Sequence, residues 1–149
     1  MIRNQRPAFG VDPLRLAAGE DLVKEALAWA APLLQQGPVL FYATAAPEDV
    51  QAVQVQLGVE RAGHLVEQAL AAIAQGLVKL GVRKLIVAGG ETSGAVVNAL
   101  AVKGLIIGPQ IDPGVPWTAS LGDAPLALAL KSGNFGTPDF FLKAWDALR

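Results

Sequence analysis

The sequence contains no cysteine and a single histidine, His64, among its 149 residues. The first absence excludes disulfides and thiolate metal sites, and the second excludes a multi-histidine metal site. One histidine also leaves little for a Ser-His-Asp arrangement. Charge is scarce and balanced: 12 Lys and Arg stand against 13 Asp and Glu, a net of −1. With a pI near 5.8 there is no basic footprint for nucleic acid, and no acidic or basic tail is present. No apolar run approaches the roughly 18 residues needed to cross a bilayer. The opening Met1-Ile2-Arg3-Asn4-Gln5-Arg6-Pro7 lacks the apolar core of a signal peptide. The expectation is a cytoplasmic protein with no membrane and no nucleic-acid partner.

What is present is aliphatic. Hydrophobic residues make up 52% of the chain and aromatics only 6%, a balance that suits helices packed on a parallel sheet. The length fits one domain with a real core. Residues 1–19 read as an irregular lead-in, and 20–149 as the domain proper. From Glu20 to about Leu34, apolar residues including Leu22, Ala26, Leu27 and Ala30 repeat at helical spacing, with Pro32 as a kink or stop. Residues 39–43 form a short apolar strand. Pro47 opens a helix carrying Val50, Val53 and Leu57. Residues 61–80 give the clearest helix, with Leu65, Ala69, Ile73 and Leu77 in one stripe. Strands follow at 84–88 and 105–107, with a helix from Ala95 to Lys103 between them. A turn at 112–116, in which Pro113-Gly114 suits type II, precedes a strand at 125–130. Thr137-Pro138-Asp139 reads as the cap, first proline and first-turn acid of the last helix. The alternation predicts a layered α/β fold with a mostly parallel sheet flanked by helices, without internal repeats.

In such a sheet, ligands sit outside the carboxyl ends of the strands. Three glycine-rich loops leave strand ends here, at 89–94, 108–116 and 131–136, and share one rim if the sheet is parallel. In the first, Gly89 and Gly90 leave a strand, and Thr92 and Ser93 sit where a helix begins. The first-turn N–H groups and the helix dipole attract an anion, and the hydroxyls add donors. A tight turn with an ordinary hydroxyl cap is the plainer reading. In the third loop, Lys131, Ser132 and Gly133 suit phosphate contact; a connection with an exposed lysine is the alternative. Glu91 suits either a Mg²⁺-bound water or a ribose hydroxyl, or is a solvated acid at a helix N-terminus. Asp112 faces the rim or serves only its turn. Trp117 and Phe135 stack on a base or pack. His64 lies on a solvated helix face. Neither G-x-x-x-x-G-K-[ST] nor G-x-G-x-x-G occurs.

Together, Val87-Ala88-Gly89-Gly90-Glu91-Thr92-Ser93-Gly94-Ala95, Gly108-Pro109-Gln110-Ile111-Asp112-Pro113-Gly114-Val115-Pro116 and Leu130-Lys131-Ser132-Gly133-Asn134-Phe135-Gly136 closely resemble the four-carbon acid sugar kinase family, most of all its 3-oxotetronate kinase branch. The resemblance runs from about residue 8 to the end. It implies the C-terminal, ATP-binding half of a two-domain kinase. Gly90, Glu91, Thr92 and Ser93 would line the nucleotide, with Gly133 opposite and Ser132 and Lys131 as neighbours. Mg²⁺ would come with the nucleotide phosphates. The family's usual Asp is Glu91 here, and its Ser-Gly-Ser loop has no counterpart before residue 37. The acid-sugar half, with its Asp-Asp-x-Thr-Gly motif, is also missing from this sequence. The chain alone is therefore expected to show little or no kinase activity. A stand-alone nucleotide-binding or remnant module remains the alternative, and the apolar surface left by a missing partner domain makes homo-oligomer formation a further expectation.

Overall fold

The computed structural model describes residues 5–43, 53, 55–133 and 135–147. Contacts divide the chain into two compact units, one up to Gly76 and one from Leu77 onward.

In the first unit, β1 (Ala8–Gly10) pairs in parallel with β2 (Leu40–Tyr42), Ala8 opposite Leu40. The expected irregular lead-in is thus partly ordered, because β1 gains a ladder partner 32 residues away (40 − 8), which no local signal reveals. Asp12 then caps α1 (Pro13–Ala17): its carboxylate accepts from the Leu14 N–H at 2.8 Å, with Pro13 in the first turn. Asp21 caps α2 (Leu22–Ala30) in the same way through the Lys24 N–H at 3.0 Å. This helix buries Leu22, Ala26 and Ala30, four residues apart. It ends before Pro32. Phe9, Trp29 and Phe41 form a cluster with ring centroids 5.4–6.2 Å apart. β2 is half-buried along its length. The helix expected from Pro47 lies largely outside the described residues. The long α3 (Val59–Lys79) starts two residues ahead of the expected helix. At Gly76 an added Cβ would fall 2.3 Å from Leu27 Cδ1, so the missing side chain is what lets α2 approach α3.

In the second unit, β3 (Lys84–Ala88), β4 (Leu105–Asp112), β5 (Val115–Ser120) and β6 (Ala127–Lys131) form one sheet in the order β3-β6-β5-β4. The α/β class holds, but the sheet is mixed, not mostly parallel. β3 and β6 are parallel, while β6–β5 and β5–β4 are antiparallel. The cause is two short connections, Pro113-Gly114 between β4 and β5 and residues 121–126 between β5 and β6, neither long enough for a parallel crossover. The β4 strand also runs through Gly108-Pro109, expected as its end. Register shifts flank Gln110. At Gly108 a Cβ would meet the Trp117 carbonyl oxygen at 3.0 Å, so the strands close here only because the residue has no side chain.

The period-2 alternation sends successive side chains to opposite faces. Val115, Trp117 and Ala129 pack on one face against Phe140 and Ala144 of α5 (Phe140–Asp146). Leu85, Leu126 and Leu128 pack on the other with Val78, Val82 and Leu100. The helix α4 (Gly90–Ala99) packs over β3 and β6 and buries Val96. Among the described residues no helix is long and apolar enough to cross a membrane.

Candidate functional site

Two antiparallel steps restore direction, so β3, β6 and β4 all point the same way. Their carboxyl ends lie on one rim. The three glycine-rich segments therefore do meet, although the sheet is mixed.

The first element of the rim is the β3–α4 junction. The ladder pairs Ala88 with Lys131, and one residue further the Gly89 N–H donates to the Lys131 carbonyl at 2.8 Å. Gly89 is the N-cap of α4, with φ 111° and ψ 130°, a conformation only glycine adopts without strain. No side chain caps this helix end. The first helical bond runs from the Ser93 N–H to the Gly89 carbonyl at 2.9 Å, so the N–H groups of Gly90, Glu91 and Thr92 have no partner within the helix. They project a partial positive charge at the rim, where an anion is stabilised. Thr92 and Ser93 lie inside the first helical turns, with the helix starting at Gly90, earlier than the expected Ala95. Glu91 is exposed in the first turn. Ser93 Oγ is buried without a hydrogen-bond partner among the described residues. Its hydroxyl, expected to face the ligand, thus has a donor in hand but little solvent access.

The second element is the loop after β6. A Cβ on Gly90 would stand 3.9 Å from Ser132 Cβ, so the two loops are van der Waals neighbours. Ser132 and Gly133 are exposed, and Gly133 has φ 51°. The Lys131 ammonium donates to the Gly133 carbonyl at 2.9 Å, curling a cation back over the loop. Of the six residues expected to bind nucleotide, Gly90 and Ser132 are thus in direct apposition. Glu91, Thr92 and Ser93 follow on one side, and Gly133 follows on the other.

The third element departs from expectation. The Asp112 carboxylate is only 5% exposed and does more than shape its turn. Its Oδ2 accepts from the Thr137 N–H at 2.9 Å and lies 3.2 Å from the Thr137 hydroxyl; its Oδ1 pairs with the Lys143 ammonium. Lys143 and the Thr137 N–H hold this carboxyl below the usual carboxylate range, burial opposing them. The Thr137 hydroxyl accepts from Lys143 at 2.6 Å and sits 2.5 Å from Asp139 Oδ1, which lowers the Asp139 pKa as well. Thr137 is therefore not the cap of the last helix. Asp139 takes that position, and α5 begins at Phe140. The residues sequence reasoning missed, Thr137 and Lys143, are 25 and 31 positions from Asp112, a separation that leaves no local trace.

Trp117 is core: it is 1% exposed, and its Nε1–H donates to the Ala144 carbonyl at 2.8 Å. Phe135 stays exposed on the rim, its ring against Gly114. His64 is exposed and shares a hydrogen bond with Gln68. Among the described residues no three His, Asp or Glu side chains stand together as a metal cage. Among the described residues Glu91 is the carboxylate in the first turn of α4.

A mixed sheet with an uncapped helix end facing a glycine loop is the layout of a nucleotide-binding α/β domain. The family model described as the nucleotide-binding C-terminal domain matches residues 1–141, and the chain belongs to that family. It is 64% identical, over 98% of its length, to a 3-oxo-tetronate kinase of Burkholderia multivorans, and 66% identical, over 97%, to one of Pseudomonas fluorescens. It spans about a third of these relatives: 34% of the first and 33% of the second. Among solved structures, a Haemophilus influenzae protein superposes with a TM-score of 0.91 at 38% identity, over 99% of this chain and 36% of that one. A Bordetella bronchiseptica protein crystallised with citrate shares the fold at a TM-score of 0.67 and 20% identity, over 99% of this chain and 34% of that one.

Proposed function

We propose that this chain is the ATP-binding part of a kinase that phosphorylates a four-carbon acid sugar of the 3-oxotetronate class. The observation that carries the reading is the apposition of two phosphate-seeking loops: the free N–H groups at Gly90, Glu91 and Thr92, and the Ser132-Gly133 turn beside them. The substrate class is supported by the names of relatives at 64% and 66% identity. In phosphoryl transfer the protein mainly positions groups and stabilises charge. Here the α4 amides would hold phosphate oxygens, and the Lys131 ammonium, now on the Gly133 carbonyl, would offer a nearby cation. Mg²⁺, bound to the nucleotide, would neutralise the transferring phosphoryl group; Glu91 would reach its water shell or the ribose.

Among the described residues Asp112 is committed to Lys143 and Thr137 and is not free to act as a base for the acceptor hydroxyl. The acid sugar would be held by the part of the relatives that this chain does not span. Calorimetric titration with ATP·Mg²⁺ tests the reading. Saturable heat is expected, and Gly90→Leu, which fills the gap toward Ser132, abolishes it while the protein stays folded. A wild-type chain that gives no saturable heat leaves only a fold. A coupled assay with 3-oxotetronates is expected to show no turnover by this chain alone. Turnover would mean that the acceptor site is here after all.

A further inference from the structure

The Ile111-Asp112-Pro113-Gly114 segment has the composition of a hairpin turn, and a turn uses its Asp on its own backbone, two residues on. Here both carboxylate oxygens look elsewhere. One takes the Thr137 N–H, and the other takes Lys143, on segments 25 and 31 residues along the chain. Asp112 is the one buried carboxylate among the described residues. Burying a carboxylate is costly unless its oxygens are matched by donors and a counter-charge. The matching groups sit where the 132–137 loop ends. Gly133 and Gly136 in that loop have positive φ, 51° and 86°, so backbone freedom there is larger and an anchor at Thr137 restricts it. A second anchor lies beside the first: a Cβ on Gly114 would come within 2.9 Å of the Phe135 ring, so the ring rests on the bare turn.

We propose that Asp112 is a positioning residue for nucleotide binding: it ties the end of the 132–137 loop to the β4–β5 turn, which keeps Ser132 and Gly133 against the N-terminus of α4. This rests on the nucleotide reading above. Asp112 touches no ligand; it acts through Thr137, and Lys143 keeps it charged. The Asp-Pro-Gly motif thereby becomes part of the binding apparatus as well as a chain reversal.

Calorimetric titration of the 149-residue chain with ATP·Mg²⁺ tests it, combined with amide hydrogen exchange at Thr137 and Gly133. Circular dichroism fixes a temperature at which each variant is folded. Asp112→Asn keeps the shape but loses the charge, and is expected to weaken binding by about tenfold or more, since small misplacements are expensive. Thr137→Val, which keeps the N–H, weakens it less. Lys143→Met behaves like Asp112→Asn and serves in its place if that variant does not fold. In Asp112→Asn and Lys143→Met, exchange at the Thr137 amide accelerates. Leu85→Val, in the core on the opposite face, lowers the melting temperature and leaves the dissociation constant unchanged. Folded Asp112→Asn or Lys143→Met with wild-type affinity would overturn the proposal and leave the nucleotide reading intact. A wild-type chain that binds no nucleotide while its Thr137 amide stays protected would sink both, and reduce the clamp to a structural one.

Discussion

At the scale of single residues, Asp112 and Trp117 are buried in the second unit, and each bonds to a segment far along the chain. The Asp112 carboxyl titrates below its ordinary value of about 3.9 because Lys143 and the Thr137 N–H favour its charged form. A depressed folded pKa contributes stability that is complete above the unfolded value and is lost as pH falls through the folded one. Asp139 shifts in the same direction. The difference in urea midpoint between wild type and Asp112→Asn is thus expected to be constant from about pH 7 to 5 and to shrink below about pH 4. A difference that grows on acidification would mean that the carboxylate is strained rather than held. Trp117→Ala removes the largest fully buried side chain and its bond to Ala144; a loss of about 3–5 kcal/mol in urea melts is expected. Part of this scale was legible. Trp117 as a packed residue and His64 as a surface residue both follow from their sequence settings. The Asp112–Thr137–Lys143 cluster does not, because three polar residues spread over 31 positions carry no periodicity.

Elements were readable where local rules suffice. The apolar stripes of α3 and α2 need nothing beyond their own residues. Asp12-Pro13 is a start signal for α1 that the Pro and Gly content of the stretch obscures. The end of β4 was misplaced for a different reason: Gly108-Pro109 breaks an isolated strand, but here the β5 backbone and the Trp117 carbonyl come close enough to carry the strand through. Two tests belong to this scale. Gly114 has φ 80° with Phe135 against it, so Gly114→Ala is expected to cost at least about 1–2 kcal/mol from backbone strain alone. Its urea midpoint, compared with that of the Phe135→Ala background, separates strain from the clash. Gly76→Val drives a side chain into Leu27 and is expected to destabilise by about 1–3 kcal/mol through overpacking. A more stable Gly76→Val protein would show that α2 and α3 are free to move apart.

At the scale of the whole molecule, the prediction concerns linkage. A ligand that binds only the folded state raises stability by about 2.7 kcal/mol at a hundred times its dissociation constant. ATP·Mg²⁺ is therefore expected to raise the melting temperature of wild type in scanning calorimetry, and not that of Gly90→Leu. Equal shifts for both proteins would place the nucleotide elsewhere. The sequence by itself determined the α/β class, the family and the two glycine- and hydroxyl-bearing loops, because hydrophobic period, glycine placement and hydroxyl positions are local properties. Only the tertiary structure decided the mixed sheet, the shared rim that survives it and the buried carboxylate that joins the third loop to the second. Strand order and long-range ion pairs depend on which segments meet in space, and the free energy of those meetings is written in no single stretch of the chain.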